Sequence, residues 1–169
     1  MPSSFSRTLL VVLIPCAFMG GCAQTKQYTP SPSATAYQLA GLPANIVDVQ
    51  VNDLRPDAGA DEAFKNVLRG QLLAALSSQV AHESANRYSL TVDIIEHRSF
   101  FTLGNWNAST RFRIRLKGAG SSILGQWDAT GTARRSNMWG YVTAAAVSQD
   151  SYNIAVADLM SSLSQASVR

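Results

Sequence analysis

Trp106-Asn107-Ala108-Ser109-Thr110-Arg111-Phe112-Arg113-Ile114-Arg115-Leu116-Lys117 alternates with a period of two: Trp106, Ala108, Thr110, Phe112, Ile114 and Leu116 fall on one side, Asn107, Ser109, Arg111, Arg113, Arg115 and Lys117 on the other. This is the pattern of a strand with one face in a core and one in water. A wet face argues against a doubly wound parallel sheet, whose strands are apolar on both sides. Gly118-Ala119-Gly120-Ser121-Ser122 then reads as a hairpin loop, and a further strand is expected over 123–134, where Trp127, Ala129, Gly131 and Ala133 alternate with Gln126, Asp128, Thr130 and Thr132. Upstream, Tyr88, Leu90, Val92 and Ile94 alternate with Ser89, Thr91 and Asp93, and residues 100–105 form a hairpin-compatible connection. These three strands make an antiparallel meander.

Before the meander, Ile46, Asp48 and Gln50 alternate with Val47, Val49 and Val51, which predicts a strand over 45–53. A turn cluster, Leu54-Arg55-Pro56-Asp57-Ala58-Gly59, is followed by Asp61 and Glu62, whose carboxylates suit the exposed amides and positive dipole end of a helix N-terminus. Phe64, Leu68, Leu72, Leu76 and Val80 recur every fourth residue as that helix's apolar stripe, widened by Val67, Leu73 and Ala75. A second helix is expected over 142–165, with Val147, Tyr152, Val156, Leu159, Met160 and Leu163 inward and Ile154 off the stripe. A strand joined through a helix to the next strand usually pairs with it in parallel. The expected fold is therefore α+β, a two-layer sandwich with a four-stranded mixed sheet, two helices on one face, and the order strand, helix, three strands, helix.

The first 21 residues read as address rather than fold. Arg7 precedes the apolar run Leu9 to Phe18, too short for a permanent span, and Met19-Gly20-Gly21-Cys22 has the small residues and thiol of a bacterial lipobox. The competing reading is an ordinary cleaved secretory signal or a buried core helix with an incidental cysteine. Lipidation at Cys22 would leave a diacylglycerol and an N-acyl chain there, and no other cofactor is expected. Residues 22–43, with Thr29-Pro30-Ser31-Pro32-Ser33, have the composition of a flexible tether, unless Tyr37-Gln38-Leu39 docks on the domain; 44–169 form a single domain. The only other cysteine, Cys16, lies in the leader, so the folded part holds no thiols for a disulfide. A net charge of +3 does not call for nucleic acid, and none is expected as partner.

Catalytic signals are sparse. His82 and His97 have no metal-ligand spacing, no Gly-x-Ser-x-Gly elbow is present, and the 118–122 loop lacks the lysine of a phosphate loop. Asp93 and Glu96, three apart on a strand, point to opposite faces unless a bulge intervenes. No enzymatic activity is expected. Two surfaces remain. The row Arg111, Arg113, Arg115 and Lys117 either binds an anionic group or is a solvated face neutralised by Asp93 and Asp128. The loop carrying Arg134, Arg135, Trp139 and Tyr141 has residue types typical of interface hot spots; its aromatics either staple the last helix or join Phe100, Phe101 and Trp106 in an exposed patch.

The lipobox, the polar segment and the order of elements resemble small Gram-negative outer-membrane lipoproteins of the YajG type, and the order is also similar to the lipopolysaccharide-assembly lipoproteins of the LptE type. Val49-Gln50-Val51-Asn52-Asp53-Leu54-Arg55-Pro56 and the stretch from Phe64 to Leu76 carry the YajG-type resemblance. Ala23 after Cys22 resembles the pattern of lipoproteins sent to the outer membrane. The resemblance implies a lipid-anchored domain on the periplasmic face of the outer membrane. The expected function is binding or scaffolding with an envelope protein; the alternative is transport or assembly of lipopolysaccharide or anionic phospholipid through the basic strand face. Cys22→Ala should abolish acyl labelling and release the chain from the membrane fraction; equal retention and labelling would refute the anchor.

Overall fold

The computed structural model describes residues 28–37, 39, 45–56, 61–77, 87–118 and 122–166, so the leader, Cys22 and Val80 lie outside the described residues. The elements are β1 (Asn45–Asp53), α1 (Glu62–Leu76), β2 (Arg87–Thr102), β3 (Asn105–Lys117), β4 (Ile123–Ser136) and α2 (Ala144–Gln165). The four strands form one sheet in the order β1-β2-β3-β4, parallel between β1 and β2 and antiparallel thereafter. Both helices cover the same face, as expected for an α+β two-layer sandwich.

Alternation on β3 holds along its length: Ala108, Thr110, Phe112, Ile114 and Leu116 are buried, and the arginines between them lie on the opposite face, half-buried. Asp61 caps α1 by accepting from the Phe64 N–H at 3.0 Å, and Thr143 caps α2 by accepting from the Ala146 N–H at 3.2 Å. α1 buries Phe64, Leu68, Leu72, Ala75 and Leu76, while Leu73 is exposed. α2 buries the whole expected stripe and adds Ser148, Ser151 and Ala155, with Ile154 outside. Those small side chains let the helix settle onto β4, where a Cβ on Gly131 would lie 2.0 Å from the Ser151 carbonyl oxygen and 2.5 Å from the Ala155 nitrogen.

Three features depart from simple periodicity. A register shift between Ile46 and Asp48 turns Ile46 inward with Val49 and leaves Val47 exposed. A second shift, between Ile94 and Glu96, carries the β2 pattern across, so that His97 and Ser99 point into the core. Strands β2 and β3 also run to the end of their hairpin, and only Leu103 and Gly104 form the turn.

The segment expected as a flexible tether is docked where it is described. Thr29 Oγ1 donates to Asp61 at 3.1 Å, the Ser31 N–H donates to Gln149 at 2.8 Å, and the Leu39 N–H donates to the Ala75 carbonyl at 3.2 Å. Pro30 and Leu39 are buried, and Tyr37 packs on the core. Burial of these three apolar side chains offsets the ordering entropy that the polar composition alone would leave unmatched. Residues 28–37 and 39 thus lie against the domain; the rest of the expected 22–43 tether lies outside the described residues. Gly131→Ala should destabilise the fold by about 1–3 kcal/mol or more, because backbone must move to admit one methyl; urea unfolding measures it.

Candidate contact surface

The expected basic row lies on the sheet face opposite the helices and is woven into a network. Asp93, almost fully buried, accepts from Asn52 Nδ2 at 2.8 Å and from Arg115 Nη2 at 2.5 Å. Arg113 reaches Asp128 at 3.3 Å across β3 and β4, a half-exposed pair of small net worth. Arg111 stands in register with Glu96, which accepts from Arg98 Nε at 2.7 Å; Lys117 is half-buried at the strand end. The bulge between Ile94 and Glu96 brings Asp93 and Glu96 to this one face, contrary to plain alternation. They serve as partners of neighbouring arginines, and no cluster of three or more His, Cys, Asp or Glu side chains occurs among the described residues.

The Arg134–Tyr141 loop has a different character. The Asn137 N–H donates to the Gly104 carbonyl at 2.8 Å, which ties this loop to the β2–β3 turn. Asn137 Oδ1 accepts from the Val142 N–H at 2.8 Å, and its carbonyl accepts from the Gly140 N–H at 3.1 Å. The backbone is thus pinned while the side chains project: Met138 is 80% exposed, Trp139 83%, Tyr141 88%, and Leu103 on the adjoining turn 93%. Trp139 and Tyr141 do not staple α2. Leu103 has φ +47°, a left-handed conformation that costs a β-carbon residue roughly 1–2 kcal/mol. Phe101 and Trp106 pack edge to face at 5.2 Å on the flank of the tip. Arg134 is exposed, and Arg135 is held by Asp150 at 2.6 Å.

Beneath the helices lies a buried polar group that sequence periodicity did not reveal. Arg55, buried over the Phe64 ring at 4.9 Å, donates to Asp53 at 2.6 and 2.9 Å and to Asp61 at 3.4 Å. Burial opposes its charge, but the Asp53 and Asp61 carboxylates outweigh that and raise its pKa. His97 Nδ1 bonds to Thr110 Oγ1 at 2.9 Å, and Thr110 bonds in turn to Ser151 Oγ at 2.8 Å. Burial, followed by the Arg55 charge, lowers the His97 pKa to about 4, against a favourable contribution from the backbone of Tyr28.

No family model and no curated protein matches the chain. Among solved structures, it is similar to a Xanthomonas campestris protein of the DUF330 family, at TM-score 0.45 and 12% identity over 80% of this chain and 94% of that one. It is also similar to a candidate lipoprotein from Caulobacter crescentus CB15, at TM-score 0.42 and 17% identity over 69% of this chain and 88% of that one. A third likeness is to a candidate neuraminyllactose-binding hemagglutinin homolog from Helicobacter pylori, at TM-score 0.31 and 12% identity over 83% and 89% of the two chains. These are likenesses of chain outline. Among the described residues no helix is long and apolar enough to cross a membrane.

Because the folded pKa of His97 lies below the unfolded value near 6.5, the unfolded chain binds the extra proton between the two, and stability rises with pH across that window. Stability should be level above about pH 6.5 and fall by roughly 3 kcal/mol as the pH approaches 4. His97→Gln should remove most of that slope in urea titrations at several pH values.

Proposed function

We propose that this chain is a non-enzymatic lipoprotein of the bacterial envelope, anchored through Cys22 on the periplasmic face of the outer membrane, whose work is binding or scaffolding. The observation that carries the reading is the tip: Leu103, Met138, Trp139 and Tyr141 project into solvent from backbone that is itself pinned by hydrogen bonds. A fold gains nothing from holding large apolar side chains rigidly in water, so their placement points to contact with something else. The YajG-type resemblance and the lipobox support the location.

Binding of lipopolysaccharide or phospholipid through Arg111, Arg113, Arg115 and Lys117 is the weaker reading. Arg115 is committed to buried Asp93 and Arg113 faces Asp128, so a ligand at these two central side chains must first displace internal carboxylates. A photo-reactive residue placed in the full chain at Met138 or Tyr141 should give adducts in intact cells, whereas one at Gln126 or Thr132 on the sheet face should not. Adducts confined to the sheet face, or none at the tip, would overturn this reading.

A further inference from the structure

We propose that the partner of the tip is an anionic lipid bilayer, into whose interfacial layer Leu103, Met138, Trp139 and Tyr141 insert while Arg134 meets the headgroups. This rests on the contact reading above and on the lipid anchor at Cys22, and it names what the contact is made with. Shape is the first reason. The four side chains stand on two projecting loops rather than lining a hollow, with exposures of 80 to 93%, which suits a soft, planar phase. Trp and Tyr are the residues that settle at headgroup depth, and Leu and Met the ones that reach past it.

Charge is the second. No Asp or Glu occurs from His97 to Trp127 or from Ala129 to Gln149, the two stretches that build the tip and its flanks. Of the carboxylates that bracket the loop in sequence, Asp128 faces Arg113 and Asp150 is paired with Arg135, while exposed Arg134 flanks the apolar group. The tip therefore offers a cation and apolar side chains with no carboxylate of its own to repel a phosphate-rich surface.

Chain direction is the third. The docked N-terminal segment runs along α1 from its start, where Thr29 meets Asp61, to its end, where Leu39 meets Ala75. The start of α1 is the tip side, since Phe64 packs on His97 at 4.9 Å and β2 continues from His97 to the turn at Leu103. Tyr28, the first described residue, thus lies at the tip-side end of α1. From His97, beside which Tyr28 lies, to Leu103 is six residues, or about 20 Å of strand; Cys22 to Tyr28 is also six residues, which extended cover about 20 Å. The acyl chains and the tip can lie in the same membrane plane, giving the two attachments that hold a peripheral domain in one orientation.

The test uses the full lipidated chain in phosphatidylcholine vesicles with and without phosphatidylglycerol, with bromine on the acyl chains as a contact quencher. Wild-type tryptophan fluorescence should be quenched, more so with phosphatidylglycerol, and Trp139→Phe should lose most of that quenching. Arg134→Gln should remove only the phosphatidylglycerol-dependent increment. Both changes lie at exposed positions, so circular dichroism should report an unchanged fold. Equal quenching in wild type and Trp139→Phe would overturn the proposal. In cells, lipid adducts from residue 138 or 141 support it; protein adducts overturn it while leaving the contact reading intact; no adduct overturns both.

Discussion

Tyr152 sits fully buried where both helices meet the sheet, its ring edge-on to Phe64 at 5.7 Å, Phe112 at 6.2 Å and His97 at 6.4 Å. Those three rings come from α1, β3 and β2, so one side chain of α2 fixes the spacing of the two layers. Its hydroxyl donates to Gln71 on α1, and Gln71 donates in turn to the Ser33 carbonyl of the docked segment. Burial raises the phenol's pKa, so it stays neutral and able to donate across the physiological range. The aromatic contact places α2; the position of α2 places the 137–143 loop; and that loop, bonded to the turn between β2 and β3, forms the tip.

The parts of this chain that follow local rules were legible in sequence. The β3 alternation gave the layer arrangement, Asp61 the start of α1, and the strand-helix-strand order the single parallel pairing. What escaped was set by interactions distant in sequence. The bulges at Val47 and Ile95 leave no compositional trace, because an extra residue in a strand is recognised only by what its partner strand opposes. The docking of residues 28–37 and 39, offered by sequence only as an alternative around Tyr37 and Leu39, runs against a polar, proline-containing composition, since three apolar side chains found sites on a surface built by both helices. The site was legible only as residue types: Trp139 and Tyr141 stood out, but whether they faced the core or water depended on Asn137 holding the loop against Gly104. Leu103 was hidden further, because nothing in its identity suggests a left-handed turn.

Polar and apolar groups have exchanged their usual places on this surface. Two of the arginines that sequence alone offers as ligand-binding are answered inside the protein, Arg115 by Asp93 and Arg113 by Asp128 on the open face. Of the exposed large apolar side chains, the four that stand furthest into solvent lie together at one end. Internal pairing of charge leaves few strong anion sites on the sheet, while the pinned loop and turn keep their side chains outward without a collapse that would hide them.

β4 is an edge strand, and one of its outward N–H groups, that of Thr130, donates to Asp158 of α2 at 2.9 Å. An approaching strand finds that donor occupied and a carboxylate standing over the edge. Exposed strand edges are where identical chains can pair into fibrils. A helix that lends one side chain to the rim of its own sheet takes one donor out of the row that a second copy could read.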